Sequence, residues 1–112
     1  MEESLSKKYY KIREVSELLD LPASTLRFWE SQFPMLKIKR NEGGTRFYTS
    51  ADLEKLKMIR YLVKDKGLKI EAAMEQLRHN HSGVSRRSEA IERLRDVRSQ
   101  LQAVLDSLNR LR

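Results

Sequence analysis

Leu21-Pro22-Ala23-Ser24-Thr25-Leu26-Arg27-Phe28-Trp29-Glu30-Ser31-Gln32-Phe33-Pro34 is the stretch that decides the fold. Two prolines fence it. Pro22 disfavours helix in the residue before it and is suited to opening a new one, so a helix is expected over roughly 23–33, closed by Pro34. At about 100° per residue, Leu26, Trp29 and Phe33 fall within roughly 60° of one another. Ser24, Arg27, Phe28 and Ser31 fall on the other side. One face suits a core; the other carries a cation, hydroxyls and an aromatic ring. Upstream, Ile12, Val15, Leu18 and Leu19 recur at helical spacing and predict a first helix ending near Asp20. Two short helices with a tight turn between them make a helix-turn-helix.

Downstream, Lys37-Ile38-Lys39-Arg40 and Thr45-Arg46-Phe47-Tyr48-Thr49 flank Gly43-Gly44, a hairpin signal. Alternation puts Arg46 and Tyr48 on one outward face and Phe47 on the other, toward the core. Residues 22–50 hold five basic side chains (Arg27, Lys37, Lys39, Arg40, Arg46) against Glu30 and Glu42, a local charge of +3. A basic hairpin after a helix-turn-helix has the make-up of a wing that reaches phosphates, while Arg and small polar groups on the helix read base edges. The competing reading is an ordinary hairpin whose lysines guard its edges against aggregation.

Thr49-Ser50-Ala51-Asp52 follows the capping-box pattern and opens a long helix on Leu53, Leu56, Ile59 and Val63 that stops at Gly67. A shorter helix over about 70–78 follows, turning Ala73, Met74 and Leu77 inward. Residues 79–88 are polar, include Gly83, and read as a linker. Beyond it, Ala90, Leu94, Val97, Leu101, Val104, Leu108 and Leu111 are spaced 4, 3, 4, 3, 4, 3. That is an uninterrupted heptad seam. A helix of about 24 residues there would be roughly 36 Å long, and a second copy is the simplest cover for its stripe. The expected organisation is therefore a DNA-binding domain over 1–81, a linker over 82–88 and a dimerisation helix over 89–112. The interface would be Leu94, Val97, Leu101, Val104, Leu108 and Leu111.

Composition narrows the function classes. With 23 Lys+Arg against 16 Asp+Glu, the 112 residues carry a formal charge of +7, and a polyanion is the natural partner. The absence of cysteine removes disulfides, thiolate metal sites and cysteine nucleophiles. His79 and His81 lack a third ligand, so no metal and no cofactor are expected. No Gly-rich phosphate loop or acid–base constellation suggests an enzyme. No apolar run reaches the ~18 residues of a membrane span. The acidic start, Met1-Glu2-Glu3-Ser4-Leu5-Ser6, lacks the layout of a signal peptide. A cytoplasmic location follows as the expectation.

Tyr10-Lys11-Ile12-Arg13-Glu14-Val15, Ser24-Thr25-Leu26-Arg27-Phe28-Trp29-Glu30, Gly44-Thr45-Arg46-Phe47-Tyr48, Asp52-Leu53 and Gly67-Leu68-Lys69-Ile70-Glu71 together resemble the MerR family of bacterial transcription regulators. The likeness covers about residues 9–78. It implies a mainly α fold, a winged helix-turn-helix followed by a long helix that dimerises as an antiparallel coiled coil. It also implies a regulator that distorts promoter DNA, lining up the −35 and −10 elements for RNA polymerase. By the same likeness Thr25, Arg27 and Phe28 match recognition-helix positions, and Arg46 and Tyr48 match wing positions. With Ser24, Lys39 and Arg40 these form the expected DNA-contacting set. Three positions depart from the family pattern: Pro22 where a Ser or Thr cap is usual, Phe28 where Tyr is common, and Lys69 where a cap residue is usual. No effector domain or cysteine loop follows the heptads, so a short form without a sensor is expected. Two other readings stay open: an excisionase-like architectural DNA-binding protein, and a coiled-coil adaptor that recruits a protein partner.

Overall fold

A computed structural model describes residues 9–111. Met1–Ser6, and with them the start of the expected 1–81 domain, lie outside the described residues, as does Arg112. Helices α1 (Ile12–Leu19) and α2 (Ala23–Gln32) come first, then strands β1 (Lys39–Arg40) and β2 (Arg46–Phe47). Helix α3 (Ser50–Arg60) runs on into a π-helical turn over Tyr61–Asp65, followed by α4 (Ile70–His79) and α5 (His81–Arg110). The chain divides into two compact units between Met74 and Glu75.

In the first unit the expected punctuation is present. Asp20 adopts the left-handed conformation that ends α1 (φ 55°), a region that Asp tolerates better than most residues. Pro22 caps α2 without a side-chain acceptor, and its carbonyl takes the N–H groups of Thr25 and Leu26 at 3.0 and 3.2 Å. Thr49 and Asp52 form the reciprocal capping box of α3, at 2.9 and 3.2 Å. Gly67 has φ +74°, a left-handed turn that a Cβ would strain, and the helix gives way there. Val15, Leu19, Leu26, Trp29, Phe33, Leu56, Ile59 and Leu62 are at the centre of the core. Each buried side chain of this size stabilises the fold by roughly 1.5–3 kcal/mol.

The core also takes in a charge. Buried Arg60 donates to the Leu19 carbonyl at 2.6 Å, tying α3 to the C-terminal end of α1. Cations at that end are favoured by the exposed carbonyls and the helix dipole. Leu18, part of the apolar spacing that predicts this helix, is exposed. The first helix needs only Val15 and Leu19 on its buried line.

The β1–β2 hairpin is antiparallel with Lys39 opposite Phe47 and Arg40 opposite Arg46. A bridge between Tyr10 and Tyr48 extends it by one residue from the N-terminal segment, with N–H···O distances of 2.8 Å in both directions.

In the second unit, α5 is one helix of 30 residues from His81 to Arg110. The segment 82–88, expected as a linker, is its first two turns. Polarity and one glycine misled: Ser82, Ser85, Arg86 and Arg87 are as compatible with a helix as with a loop, and Gly83 and Val84 are buried. Asn80 alone separates α4 from α5. Among the described residues no helix is long and apolar enough to cross a membrane.

Candidate nucleic-acid interface

Helix α2 presents the two faces that its sequence predicts. Leu26 and Trp29 are buried, with Phe33 just beyond the helix, while Ser24, Arg27, Phe28 and Ser31 face outward and Thr25 is half-buried. Phe28 is 52% exposed, which is high for a phenyl ring in a domain with an adequate core. The Ser31 hydroxyl is engaged with its own helix, donating to the Phe28 carbonyl at 2.6 Å. The outward set free to meet a ligand is therefore Ser24, Arg27 and Phe28, flanked by Thr25.

The hairpin meets this helix through Glu30. Its Oε1 accepts from Arg46 Nε at 2.6 Å and its Oε2 accepts from Arg40 at 3.3 Å. Cross-strand partners share one face of a ribbon, and that face carries both Arg40 and Arg46 to α2. Glu30 and Arg46 are largely covered, at 14% and 19% side-chain exposure. Two cations expected at separate points of the wing are thus gathered against α2 by one carboxylate. At the hairpin tip Asn41 Oδ1 accepts the Thr45 N–H at 2.9 Å, and Gly44 turns with φ +86°.

Two expectations for the wing are corrected. Arg46 and Tyr48 do share a face, as alternation requires, but it is the face turned toward α2. Tyr48 is therefore buried at 1% exposure, and its hydroxyl has no hydrogen-bond partner among the described residues. Burial, reinforced by Glu30 and opposed by Arg46, Arg27 and Arg40, pushes that hydroxyl up to about 12 and keeps it neutral. Tyr48 underlies the basic cluster and does not lie on the outer surface. Phe47, expected in the core, is half-buried on the opposite face, edge-on to Tyr9 with ring centroids 6.1 Å apart. Lys39, paired with Phe47, belongs to that outer face as well, away from Glu30.

A second basic element was not singled out from the sequence. Lys64 and Lys69, with Leu68, line an open groove of about 450 Å³ together with Thr25 and Phe28. The π-helical turn and the Gly67 bend carry these lysines to the flank of α2, the helix that the hairpin also meets. The run Lys64-Asp65-Lys66-Gly67-Leu68-Lys69 carried the signal: three cations within six residues around a glycine. Among the described residues no cluster of three or more His, Cys, Asp or Glu groups could hold a metal. His79 instead lies 2.6 Å from Glu75 one helical turn earlier.

On α5 the seam residues Leu94, Val97, Leu101, Val104, Leu108 and Leu111 are all exposed, and Leu105 joins them. The apolar stripe thus widens toward the C-terminal end of the helix.

Comparison with known proteins bears on the fold that carries these residues. The family model of the MerR HTH family regulatory protein matches residues 10–80. The HTH-type transcriptional regulator ZntR of Escherichia coli K12 is 33% identical over 110 residues, covering 91% of this chain and 77% of ZntR. The HTH-type transcriptional regulator MlrA of Salmonella typhimurium is 34% identical over 61 residues, covering 54% of this chain and 25% of MlrA. Among solved structures, a MerR family transcriptional regulator from Bacillus cereus superposes with a TM-score of 0.56 at 23% identity, over 90% of this chain and 78% of that one. HiNmlR, a MerR family regulator lacking the sensor domain and bound to promoter DNA, superposes with a TM-score of 0.52 at 21% identity, over 92% of this chain and 84% of that one.

Proposed function

The chain belongs to the MerR family of helix-turn-helix regulatory proteins, and from that membership we propose that it binds promoter DNA as a homodimer and distorts the duplex. As a member it is a DNA-binding transcriptional regulator. The observation that carries the finer reading is the convergence of α2 and the wing at Glu30, which sets Arg27, Arg40 and Arg46 around one surface. Helix α2 enters the major groove, where Arg27 reads base edges and Ser24, Thr25 and Phe28 fit around it. Arg40 and Arg46 take flanking phosphates from one side, with Lys64 and Lys69 doing so from the other. Lys39, on the outer face of the hairpin, adds long-range attraction more than a fixed contact.

Dimerisation follows from α5. Its stripe is covered by the same stripe of a second copy in an antiparallel coiled coil, and two recognition helices are then held at a fixed separation. Half-site spacing that departs from this separation is accommodated by bending or untwisting the duplex. Such a distorted promoter is a substrate for RNA polymerase, and the cytoplasm is where this chemistry resides. The relative HiNmlR, bound to promoter DNA, supports the reading.

The test is selection of preferred duplexes from a random-sequence library by the full chain, followed by sedimentation of the complex. A two-fold symmetric preferred site bound by two chains is expected. A preferred site without symmetry, bound by one chain, overturns the dimer. Recovery of no preferred site overturns sequence-specific binding.

A further inference from the structure

Glu30 is an anomaly on the surface just described. It is an acid on the helix that meets the polyanion, in a chain of net charge +7. An acid placed there repels phosphate, so electrostatics alone would favour its loss. Its geometry gives it another task. One oxygen holds Arg46 Nε and the other holds a terminal nitrogen of Arg40. These two arginines face each other directly across the hairpin, an arrangement of like charges that by itself is destabilising. Glu30 relieves that repulsion and fastens both guanidiniums to α2, across ten and sixteen residues of sequence.

A guanidinium has five N–H donors in a planar fork. Arg46 spends its Nε on Glu30 and keeps both terminal nitrogens; Arg40 spends one terminal nitrogen. Each can therefore bind the carboxylate and a phosphate together.

We propose that Glu30 is a positioning residue for DNA recognition: it sacrifices general affinity for nucleic acid in order to fix the wing arginines in register with the recognition helix. This rests on the DNA-binding reading above and deepens it. Promoter selectivity then depends on a group that touches no DNA.

The proposal separates affinity from selectivity, and so does its test. Glu30→Gln keeps the side-chain shape and removes the negative charge. A merely acidic surface residue would, on removal, tighten binding to every duplex and leave discrimination intact. A positioning residue gives a crossed result. Binding to random duplex DNA tightens by a few-fold, while preference for the duplex selected from a random library falls roughly tenfold, as loss of one charge-assisted hydrogen-bond pair implies. Arg46→Lys, which keeps the net charge but loses the fork, is the second variant. It should lose discrimination to a similar extent, and adding Glu30→Gln to it should cost little more. Circular dichroism melts identify any variant that fails to fold; if Glu30→Gln does, Arg46→Lys alone decides. Unchanged discrimination in a folded Glu30→Gln protein, or in folded Arg46→Lys, overturns the role of Glu30 and leaves the DNA-binding reading standing. Failure of the unmodified chain to prefer any duplex overturns both.

Discussion

Helices α2 and α5 carry apolar stripes of the same kind and treat them in opposite ways. In α2 the stripe is closed off within the chain: Leu26 and Trp29 are buried, and Phe33 beyond them is fully so. In α5 it stands open, with Leu101 60% exposed and Leu94, Val104, Leu105 and Leu108 comparable. Periodicity is the same signal in both cases, so it establishes amphipathicity without saying what covers the apolar face. Length and neighbourhood decide that. The α2 stripe spans only eight residues, and α1 and α3 lie against the core it joins. The α5 stripe runs through most of a 30-residue helix.

The comparison can be broken most severely on the α5 side. Leu101→Glu combined with Leu108→Glu removes two side chains from the proposed dimer seam, each worth roughly 1.5–3 kcal/mol when buried. Sedimentation should show a folded monomer at micromolar concentration. A persistent dimer would place the interface elsewhere.

On the α2 side a single change is enough. Trp29→Ala opens a large cavity and should lower unfolding stability by about 3–5 kcal/mol, read from denaturant titration. Stability equal to the unmodified chain would mean that the two faces of α2 are reversed. Arg27→Ala, on the outer face of the same helix, should leave the melt unchanged. Its effect belongs to DNA: discrimination between preferred and altered duplexes should weaken by about 1–3 kcal/mol, concentrated at one base position. A uniform loss across all sequences would make Arg27 a phosphate contact instead.

The smallest change sharpens the boundary of α5. Gly83 lies inside the helix without a positive φ, and the atoms nearest a Cβ placed there belong to the Asn80 side-chain amide, 2.6 Å away at its closest. That exposed side chain can rotate aside. Gly83→Ala should raise stability by up to about 1 kcal/mol through helix propensity, seen as a higher melting temperature. No change would mean that residues 81–88 behave in solution as the linker their polarity suggests.

Punctuation was the most legible part of the sequence. Leu21-Pro22, Thr49 with Asp52, and Gly67 each act through their own backbone and nearest neighbours, so the helix boundaries they set could be read locally. The two faces of α2 were legible for the same reason. What escaped was long-range. Alternation correctly paired Arg46 with Tyr48, but which face of a two-stranded ribbon turns inward depends on what packs against it. Here α2 supplies Glu30 and the N-terminal segment supplies Tyr10, so Tyr48 is buried and Phe47 meets Tyr9 outside. Glu30 counted in the sequence as one negative charge subtracted from a basic region; only its partners, ten and sixteen residues away, give it a task. The lysines near Gly67 were visible as charges, but their place beside Phe28 depends on the π-helical turn, which leaves no simple mark in composition.

The shared carboxylate also bears on how such a domain can be re-engineered. Transplanting α2 alone into a related scaffold would carry Glu30 without its arginines, and exchanging the hairpin alone would carry the arginines without their anchor. Either chimera would fold around a mismatched joint. The transferable cassette is the continuous stretch from Ala23 through Phe47, moved as one piece: helix, wing and the two ion pairs between them.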